Sequence, residues 1–310
     1  MESANPWERL AEGAEGRTRV AEQADSGAIT RLLEHAPYTH IHADWHYPSE
    51  WLGSPTFVIV PESAGSGGRR SFSSRLFGDH GPLAGCLAVA ADPGPAAWVR
   101  VAGIADAARG LELMALMLAA IVAPLREANV SQIAWLLVEG WPEMWLPDLG
   151  FEKINEVVTY SKLGTNSPRA SQPDGLDIRP VRTSDLTALA EIESRAFEPL
   201  WRHSEWSLSL ARQQAISFDV AWLGESPVGF QFSTPTLQGA HLSRITVDPV
   251  VQGCGVGSAV LAHALEGYAQ RGIPLVTLNT QLDNVVSQRL YEKFGFQRSS
   301  ESFPVYSVSL

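Results

Sequence analysis

The chain has 310 residues, 45% of them hydrophobic and 18% charged, which is long enough for two domains that each bury a core. Its net charge of −11 argues against a nucleic-acid partner, because nucleic-acid binding depends on Lys and Arg. The two cysteines, Cys86 and Cys254, cannot by themselves form a disulfide framework or a zinc site.

Two stretches bear on where the protein resides. Residues 1–16 are polar and acidic without an apolar signal core, and we expect them to form a flexible leader. The longest apolar run, 113–124, is too short to span a bilayer and is typical of a buried helix. We therefore expect a cytoplasmic protein without a membrane partner, present as a monomer or homodimer.

The first half, residues 17–164, alternates short β-rich runs with helical patterns. A Ser-, Gly- and Arg-rich stretch at 62–81 predicts a flexible loop. The predicted strands lie at 17–20, 55–61, 82–91, 96–104, 132–138 and 154–163, with a further segment at 38–45. The predicted helices lie at 26–33 and 111–125, with a short turn or helix at 141–149.

Within this half, His40, His42, Asp44 and His46 stand at alternating positions. In an extended chain, such side chains share one face, and three imidazoles with a carboxylate could bind zinc. The other interpretation is a polar strand face or the wall of a substrate cleft. We favour the latter and expect no metal site.

The second half follows a linker at 165–175, whose Pro, Ser and Gly content is typical of a connecting segment. The elements predicted for residues 176–310 are strands at 176–181, 218–223, 227–232, 242–247 and 303–310, with helices at 183–197 and 205–215. A further helix, strand and helix follow residue 257. The same order of elements occurs in both halves, which predicts an internal repeat.

A glycine-rich loop joins a predicted strand to a predicted helix at 252–257, with the sequence Gln-Gly-Cys-Gly-Val-Gly. The first N–H groups of a helix have no partner inside it, and the helix dipole favours negative charge there, so this loop predicts an anion site. Neither register gives the G-x-G-x-x-G of dinucleotide-binding proteins, and the loop has no Lys, as a P-loop would require.

The pattern that fits is Q/R-x-x-G-x-G/A, met by Gln252, Gly255 and Gly257, which resembles the pyrophosphate loop of the GNAT acyl-CoA N-acyltransferases. A second motif follows in register and is similar to that family's Asn, Ala, Leu-Tyr-Glu-Lys and Gly-Phe signature, here at Asn284, Ser287, 290–293 and 295–296. Ser287 stands where Ala is usual. Two motifs at the right separation make the resemblance specific over about 176–310.

The resemblance implies a mixed α/β (α+β) sheet in two tandem GNAT-like domains, with acetyl-CoA as acyl donor. The segment before the long helix of the first half, GIADAARGLEL, has neither the Gln nor the paired glycines. We therefore expect a degenerate copy at 17–164 beside an acyl-CoA-binding copy at 176–310. The alternative is that the first half is an unrelated α+β domain.

The resemblance also assigns roles to individual residues. The loop that would hold the diphosphate comprises Gln252, Gly253, Cys254, Gly255, Val256, Gly257 and Ser258. The strand backbone that would pair with the pantetheine arm comprises Ile245, Thr246 and Val247, with the N–H of Val247 as the oxyanion donor. Asn284 would contact the pantetheine or the helix start, with Ser287 beside it. Tyr291 would act as general acid toward the departing thiolate.

The general base is left open. Glu191, Glu193 and Glu198 lie on or just after the first helix of the second half, and each is more typical of a solvated surface charge. His241 could act through a water, and some GNAT members use water chains alone. Cys254 lies in the anion loop, where thiol pKa values fall, but no His partner lies near it in the sequence.

These roles lead to three hypotheses. The first is an N-acetyltransferase that moves an acetyl group to a primary amine of a small molecule or peptide by direct attack. The second is a CoA-sensing or partner-binding module without turnover. The third makes the first half a metal-dependent domain.

Overall fold

A computed structural model of the protein describes residues 6–10, 16–62, 81–168 and 172–310. The chain divides into two compact units. The first comprises Met1–Ile154 and Pro304–Leu310, and the second comprises Asn155–Phe303.

The first unit is a mixed sheet with helices on its faces. Its described elements are α1 Pro6–Leu10, β1 Arg19–Val20, α2 Ser26–His35, β2 Tyr38–Ile41, β3 Phe57–Pro61, β4 Leu83–Ala90, β5 Ala96–Ile104, α3 Gly110–Glu127, β6 Gln132–Leu136 and the start of β7 Glu152–Leu163. The strands are ordered β1-β3-β4-β5-β6. The last strand of the chain, β13 Gln297–Ser309, pairs antiparallel with β6 from Val305 to Ser309 and completes this unit.

Helix α3 is the core helix of the first unit. By length and composition it could cross a membrane, but Leu113, Met117 and Ile121 are fully buried in the unit's hydrophobic cluster. The prediction of a buried helix from the run 113–124 is confirmed.

The second unit has the same plan. Its elements are the rest of β7, β8 Leu176–Pro180, α4 Leu186–Ala196, α5 Glu205–Gln214, β9 Ser217–Leu223, β10 Ser226–Pro235, β11 Ala240–Val247, α6 Val256–Gln270, β12 Leu275–Gln281, α7 Val285–Lys293 and the start of β13. The strands are ordered β7-β12-β11-β10-β9-β8. Neighbours are antiparallel except β11 and β12, which are parallel. The predicted mixed α/β fold is confirmed.

Three expectations about segments need correction. The leader 1–16 is not flexible throughout, because α1 is helical and the Trp7 indole is fully buried, with its ring centroid 6.1 Å from that of Phe151. The segment 38–45 is extended only as far as Ile41. The strand expected at 303–310 starts earlier, at Gln297. Most of the loop predicted at 62–81, residues 63–80, lies outside the described residues.

The unit boundaries also differ from the predicted 17–164 and 176–310. Ile154 and Asn155 separate the units, ten residues before the predicted linker, and Pro304–Leu310 belongs to the first unit. The physical reason is strand pairing: Val157–Leu163 of β7 pair with β12, while the end of β13 pairs with β6. Each half therefore supplies a strand to the other unit's sheet, which apolar periodicity along the chain does not reveal.

Candidate active site

The two parallel strands of the second unit separate partway along their length. β11 and β12 pair only at Ala240, His241 and Leu242, and the rest of β11 has no partner on that edge among the described residues. The register of β11 against β10 shifts between Phe232 and Ser233, so Ser243 is an extra residue that bulges. The bend opens a slot beside the second half of β11.

Backbone N–H groups of β11 point into this slot. The N–H of Asp248 donates to the carbonyl of Val228 on β10 at 2.9 Å. N–H directions alternate along a strand, so that of Thr246 also faces β10, while those of Ile245 and Val247 face the open edge. The slot therefore presents two N–H donors to an extended polar chain.

The glycine loop adopts the conformation that its sequence predicts. Gly253 and Gly255 have φ of 78° and 94°, which is left-handed backbone that other residues rarely adopt. Gly255 precedes the first residue of α6, and no described side chain caps that helix end. Gln252, Gly253 and Cys254 are exposed, so the first-turn N–H groups of α6 face a solvent-accessible loop.

Loop, strand end and α7 meet at Gly257. A Cβ built at Gly257 would lie 3.5 Å from Val247 Cγ2 and 3.6 Å from Leu290 Cδ2, which is ordinary contact. The Gln252 side chain donates from Nε2 to the carbonyl of Val247 at 3.1 Å. Gln252 thus ties the loop to the strand end, a role that the sequence did not predict.

The second motif forms the start and the first turns of α7. The Asn284 side chain accepts a hydrogen bond from the Ser287 N–H at 3.2 Å and caps the helix. Of the two roles weighed for Asn284, the structure has the contact with the helix start. Gly295, with φ of 81°, ends the helix, and the Phe296 N–H returns to the carbonyl of Tyr291 at 3.0 Å.

Tyr291 is buried beside the slot. Its ring centroid lies 6.1 Å from that of Tyr160 and 6.0 Å from that of Phe296. Burial raises the pKa of Tyr291 to about 12, against opposing effects from Arg244 and from a hydrogen bond with the Ser287 side chain. Those two neighbours place the hydroxyl toward the start of α7 and toward β11. The phenol is therefore protonated at neutral pH and can only donate a proton.

One of the three candidate glutamates is not a surface charge. Glu193 on α4 is fully buried, and its carboxylate accepts hydrogen bonds from Arg244 Nε at 3.0 Å and from the His203 backbone N–H at 3.2 Å. Thr246 Oγ1 and Arg244 Nη2 also donate to it. Burial alone would raise the pKa of Glu193, but the charges of Arg244 and His203 and these hydrogen bonds keep it below its usual range.

These contacts make Glu193 a poor proton acceptor, and they give it a structural role instead. Arg244 also donates to the Trp201 carbonyl at 2.6 Å and lies 3.7 Å above the Phe197 ring. Through Arg244, Glu193 therefore joins the segment after α4 to β11. The sequence analysis did not predict a role for Arg244. The signal that could have identified it is a cation within a strand that has no other Lys, Arg, Asp or Glu.

We expect Glu193→Gln to lower the free energy of unfolding by about 3 kcal/mol, because it leaves Arg244 buried without its anion. Glu191→Gln, an exposed neighbour on the same helix, should change it by less than about 0.5 kcal/mol. Urea unfolding of the two variants at neutral pH measures both values. Equal effects would mean that the buried ion pair is not a stabilising contact.

The remaining base candidates differ in environment. Glu191 and Glu198 are exposed. His241 at the start of β11 shares a hydrogen bond of 2.9 Å between its Nδ1 and Thr277 Oγ1, and burial lowers its pKa, so its ring is neutral at pH 7. His241 therefore stays a candidate. Cys254 is an exposed free thiol.

Of the four residues predicted to share one face, His40, His42 and Asp44 lie close together, with the His40 and His42 ring centroids 6.3 Å apart. His46 does not join them, because the chain turns at Asp44, whose φ is 48°. His40 is buried with its ring centroid 5.3 Å from that of Trp135, and burial lowers its pKa to about 3. His42 contacts Asp44 and His46 contacts Glu50. Within the ranges described, no group of three or more His, Cys, Asp or Glu could hold a metal ion.

These features together define a class of protein. A nucleotide-borne acyl group needs an anion site for its diphosphate and a strand edge for its amide arm. The second unit has both, and α7, which carries Tyr291, meets them at Gly257. Such a site is that of an acyl-CoA-dependent N-acyltransferase with acetyl-CoA as donor. Residues 186–296, which lie in the second unit, match the model of the Acetyltransferase (GNAT) family.

Comparison with known proteins gives the same class. The chain is 29% identical over 123 residues to the [ribosomal protein bS18]-alanine N-acetyltransferase of Escherichia coli, covering 40% of this chain and 82% of that one. It is 33% identical over 141 residues to the mycothiol acetyltransferase of Thermomonospora curvata, covering 42% of this chain and 47% of the relative. The chain thus spans about half of that second relative.

A tandem GNAT protein from the clavulanic acid biosynthesis pathway shares the fold across both units. Its TM-score is 0.51 at 16% identity, covering 98% of this chain and 94% of that one. The expectation of two tandem GNAT-like domains is confirmed at the level of fold.

Proposed function

We propose that the protein transfers an acetyl group from acetyl-CoA to a primary amine of a small molecule or peptide, by direct attack of the amine. The observation that carries this proposal is the convergence at Gly257, where the exposed anion loop, the open edge of β11 and α7 meet. In this proposal the backbone of 253–258 holds the diphosphate, and Ile245, Thr246 and Val247 hold the pantetheine arm.

The direction of the backbone N–H groups of β11 supports the proposed position of the pantetheine arm of acetyl-CoA. The N–H groups of Ile245 and Val247 face the slot, so a pantetheine arm laid along β11 gains the hydrogen bonds of an added strand. One of these donors, which we assign to Val247, then stabilises the oxyanion formed when the amine nitrogen attacks the thioester carbon. The bond from carbon to sulfur breaks as the carbonyl re-forms.

Tyr291 is proposed to assist the leaving sulfur. Its pKa of about 12 is well above that of a typical thiol, near 8.5, so full transfer of its proton to the thiolate is unfavourable. A hydrogen bond from the phenol to the developing thiolate needs no such transfer. The proton released by the attacking amine can then reach the sulfur through Tyr291 or water.

The base that takes the amine proton follows by elimination among the candidates. Glu193 is held as a carboxylate by Arg244 and Thr246, which lowers its basicity. The neutral imidazole of His241 has a lowered pKa and a fixed ring orientation, and can accept a proton through water. We therefore assign proton removal to a water chain that ends at or near His241.

The acceptor is left at the level of a primary amine. One relative is named for an alanine of ribosomal protein bS18 and the other for mycothiol, so both peptide and small-molecule amines are to be tested. The test follows CoA release from acetyl-CoA with a thiol reagent, using peptides with a free N-terminal Ala, lysine peptides, polyamines, amino acids and aminoglycosides. We expect CoA release to exceed the acceptor-free rate with one class of acceptor. The Gly255→Asp variant should show no such increase.

The alternative is a CoA-binding module without turnover, motivated by the contacts of Arg244 and Thr246 with Glu193, the buried carboxylate among the candidate bases. Binding of acetyl-CoA with no CoA release across the whole panel would favour it. Failure to bind acetyl-CoA at all would contradict both.

A further inference from the structure

The first unit repeats the strand geometry that opens a slot in the second. β5 and β6 pair in parallel only at Ala96–Gln132, Ala97–Ile133 and Trp98–Ala134. The register of β5 against β4 then shifts between Ala88 and Val89, so Arg100 is an extra residue that bulges. Beyond this bulge, β5 leaves β6, just as β11 leaves β12 after its own bulge.

In the first unit, the slot is filled by the chain itself. β2 pairs antiparallel with β5, with Tyr38 opposite Ile104 and Ile41 opposite Val101. The same β5 residues pair with β4, and a strand has only two edges. β2 therefore lies on the edge that β6 vacates. In the second unit, the corresponding edge of β11 is where the proposed pantetheine arm binds.

Backbone and side-chain contacts hold β2 in this position. The His42 N–H donates to the Arg100 carbonyl at 2.8 Å, which continues the pairing to the bulge. On the other side, Trp141 Nε1 donates to the Thr39 carbonyl at 2.8 Å. Both edges of β2 thus have partners, as the edges of a bound amide chain would.

The helix end of the first unit is closed as well. A Cβ built at Gly110, the first residue of α3, would lie 2.0 Å from Trp145 Cζ2, so the indole packs against the backbone of the first turn. In the second unit, the residues that lead into α6, Gln252, Gly253 and Cys254, are exposed. An indole in that place leaves no room for a diphosphate.

We propose that β2 is an internal substitute for the pantetheine arm, so that the first unit is permanently occupied and each chain binds a single acetyl-CoA, in the second unit. This inference rests on the proposed function, because it takes the second slot as the cofactor site. In this proposal the first unit is degenerate in a specific sense: it keeps the fold, but residues 38–42 occupy the position where the ligand would bind.

Calorimetry of the full chain with acetyl-CoA gives the stoichiometry. We expect one equivalent per chain for the wild type, and loss of that binding in Gly255→Asp. Two equivalents, or one equivalent that Gly255→Asp leaves intact, would place a ligand in the first unit and overturn the inference.

Hydrogen exchange of individual amides separates this inference from the proposed function. The N–H groups of His40 and His42 face β5, since N–H directions alternate from the bond of His42. They should be protected by about 1,000-fold or more without ligand and be unchanged by acetyl-CoA. The amides of Ile245 and Val247 should exchange fast and slow down when acetyl-CoA is added.

The two failures then look different. Unprotected His40 and His42 amides, or a change in their exchange on adding acetyl-CoA, would show that β2 does not occupy the slot, whatever happens in the second unit. Amides of Ile245 and Val247 that ignore acetyl-CoA would instead contradict the cofactor site, while protected β2 amides would still support the occupied slot.

Discussion

Gly255→Asp is expected to weaken acetyl-CoA binding by about 100-fold or more, which corresponds to about 2.7 kcal/mol. Gly255 has φ of 94°, where a residue with a Cβ is strained by about 1–2 kcal/mol. The substitution also puts a carboxylate at the helix end that is proposed to bind the diphosphate, where like charges repel. Calorimetry with acetyl-CoA measures the loss directly.

A matched control separates binding from general strain. Gly272 lies just past the other end of α6, has φ of 68°, and a Cβ there would meet nothing within 4 Å. Gly272→Asp therefore introduces a similar backbone strain and the same charge away from the loop. It should lower the melting temperature and leave acetyl-CoA affinity within about 2-fold. Equal loss of affinity in both variants would contradict the proposal that this loop binds the diphosphate.

Tyr291→Phe is expected to lower turnover by about 100-fold or more while leaving acetyl-CoA affinity within about 2-fold. Only a hydroxyl is lost, and the ring contacts with Tyr160 and Phe296 remain. The measurement is kcat with the best acceptor from the panel, beside the Kd for acetyl-CoA. Unchanged kcat would reduce Tyr291 to a packing residue.

Tyr268→Phe is the control for this prediction. Tyr268 on α6 is fully buried, its pKa is raised to about 12 by burial, and its hydroxyl bonds Ser233. It matches Tyr291 in burial and pKa but takes no part in the proposed reaction. Its loss should cost about 1 kcal/mol of stability, with kcat changed by less than about 3-fold.

The pH dependence of turnover follows from the raised pKa of Tyr291. Its hydroxyl donates only while protonated, so its contribution is present at lower pH and is lost as pH rises through about 12. Between pH 7 and 10, the wild type should show no falling limb due to this group. A kcat that falls near pH 8 and does not fall in Tyr291→Phe would contradict the assigned pKa.

The sequence was most informative where local rules decide the structure. Leu113, Met117 and Ile121 recur at helical spacing and form one buried face of α3. Gly255 needs positive φ, and its place before an apolar helix identified an exposed helix start. Asn284 was expected to contact the pantetheine arm or the helix start, and it caps the helix. In each case the signal is carried by neighbours in the chain.

The sequence was least informative where distant segments meet. The exchange of β7 and β13 between the sheets and the entry of β2 beside β5 depend on pairings far apart in the chain. Burial of Glu193 depends on Arg244, which reaches it from β11. Trp7 was assigned to a flexible leader because its neighbours are polar, although its indole packs into the core of the first unit.

The contrast between the two units gives the site its physical meaning. Both contain a parallel pair of strands that separates after three paired residues. In the first, Trp145 and β2 occupy the helix end and the slot, whereas in the second both positions are open among the described residues. Ligand binding is thus decided by what fills the slot, since the sheet geometry that forms it is common to both.

The most direct test of the central claim is a crystal structure of the full chain with CoA. We predict one CoA per chain, its diphosphate oxygens about 3 Å from backbone nitrogens between Gly253 and Ser258, and its sulfur within hydrogen-bonding reach of the Tyr291 hydroxyl. A diphosphate bound away from this loop, or a sulfur on the far side of β11 from Tyr291, would contradict the account.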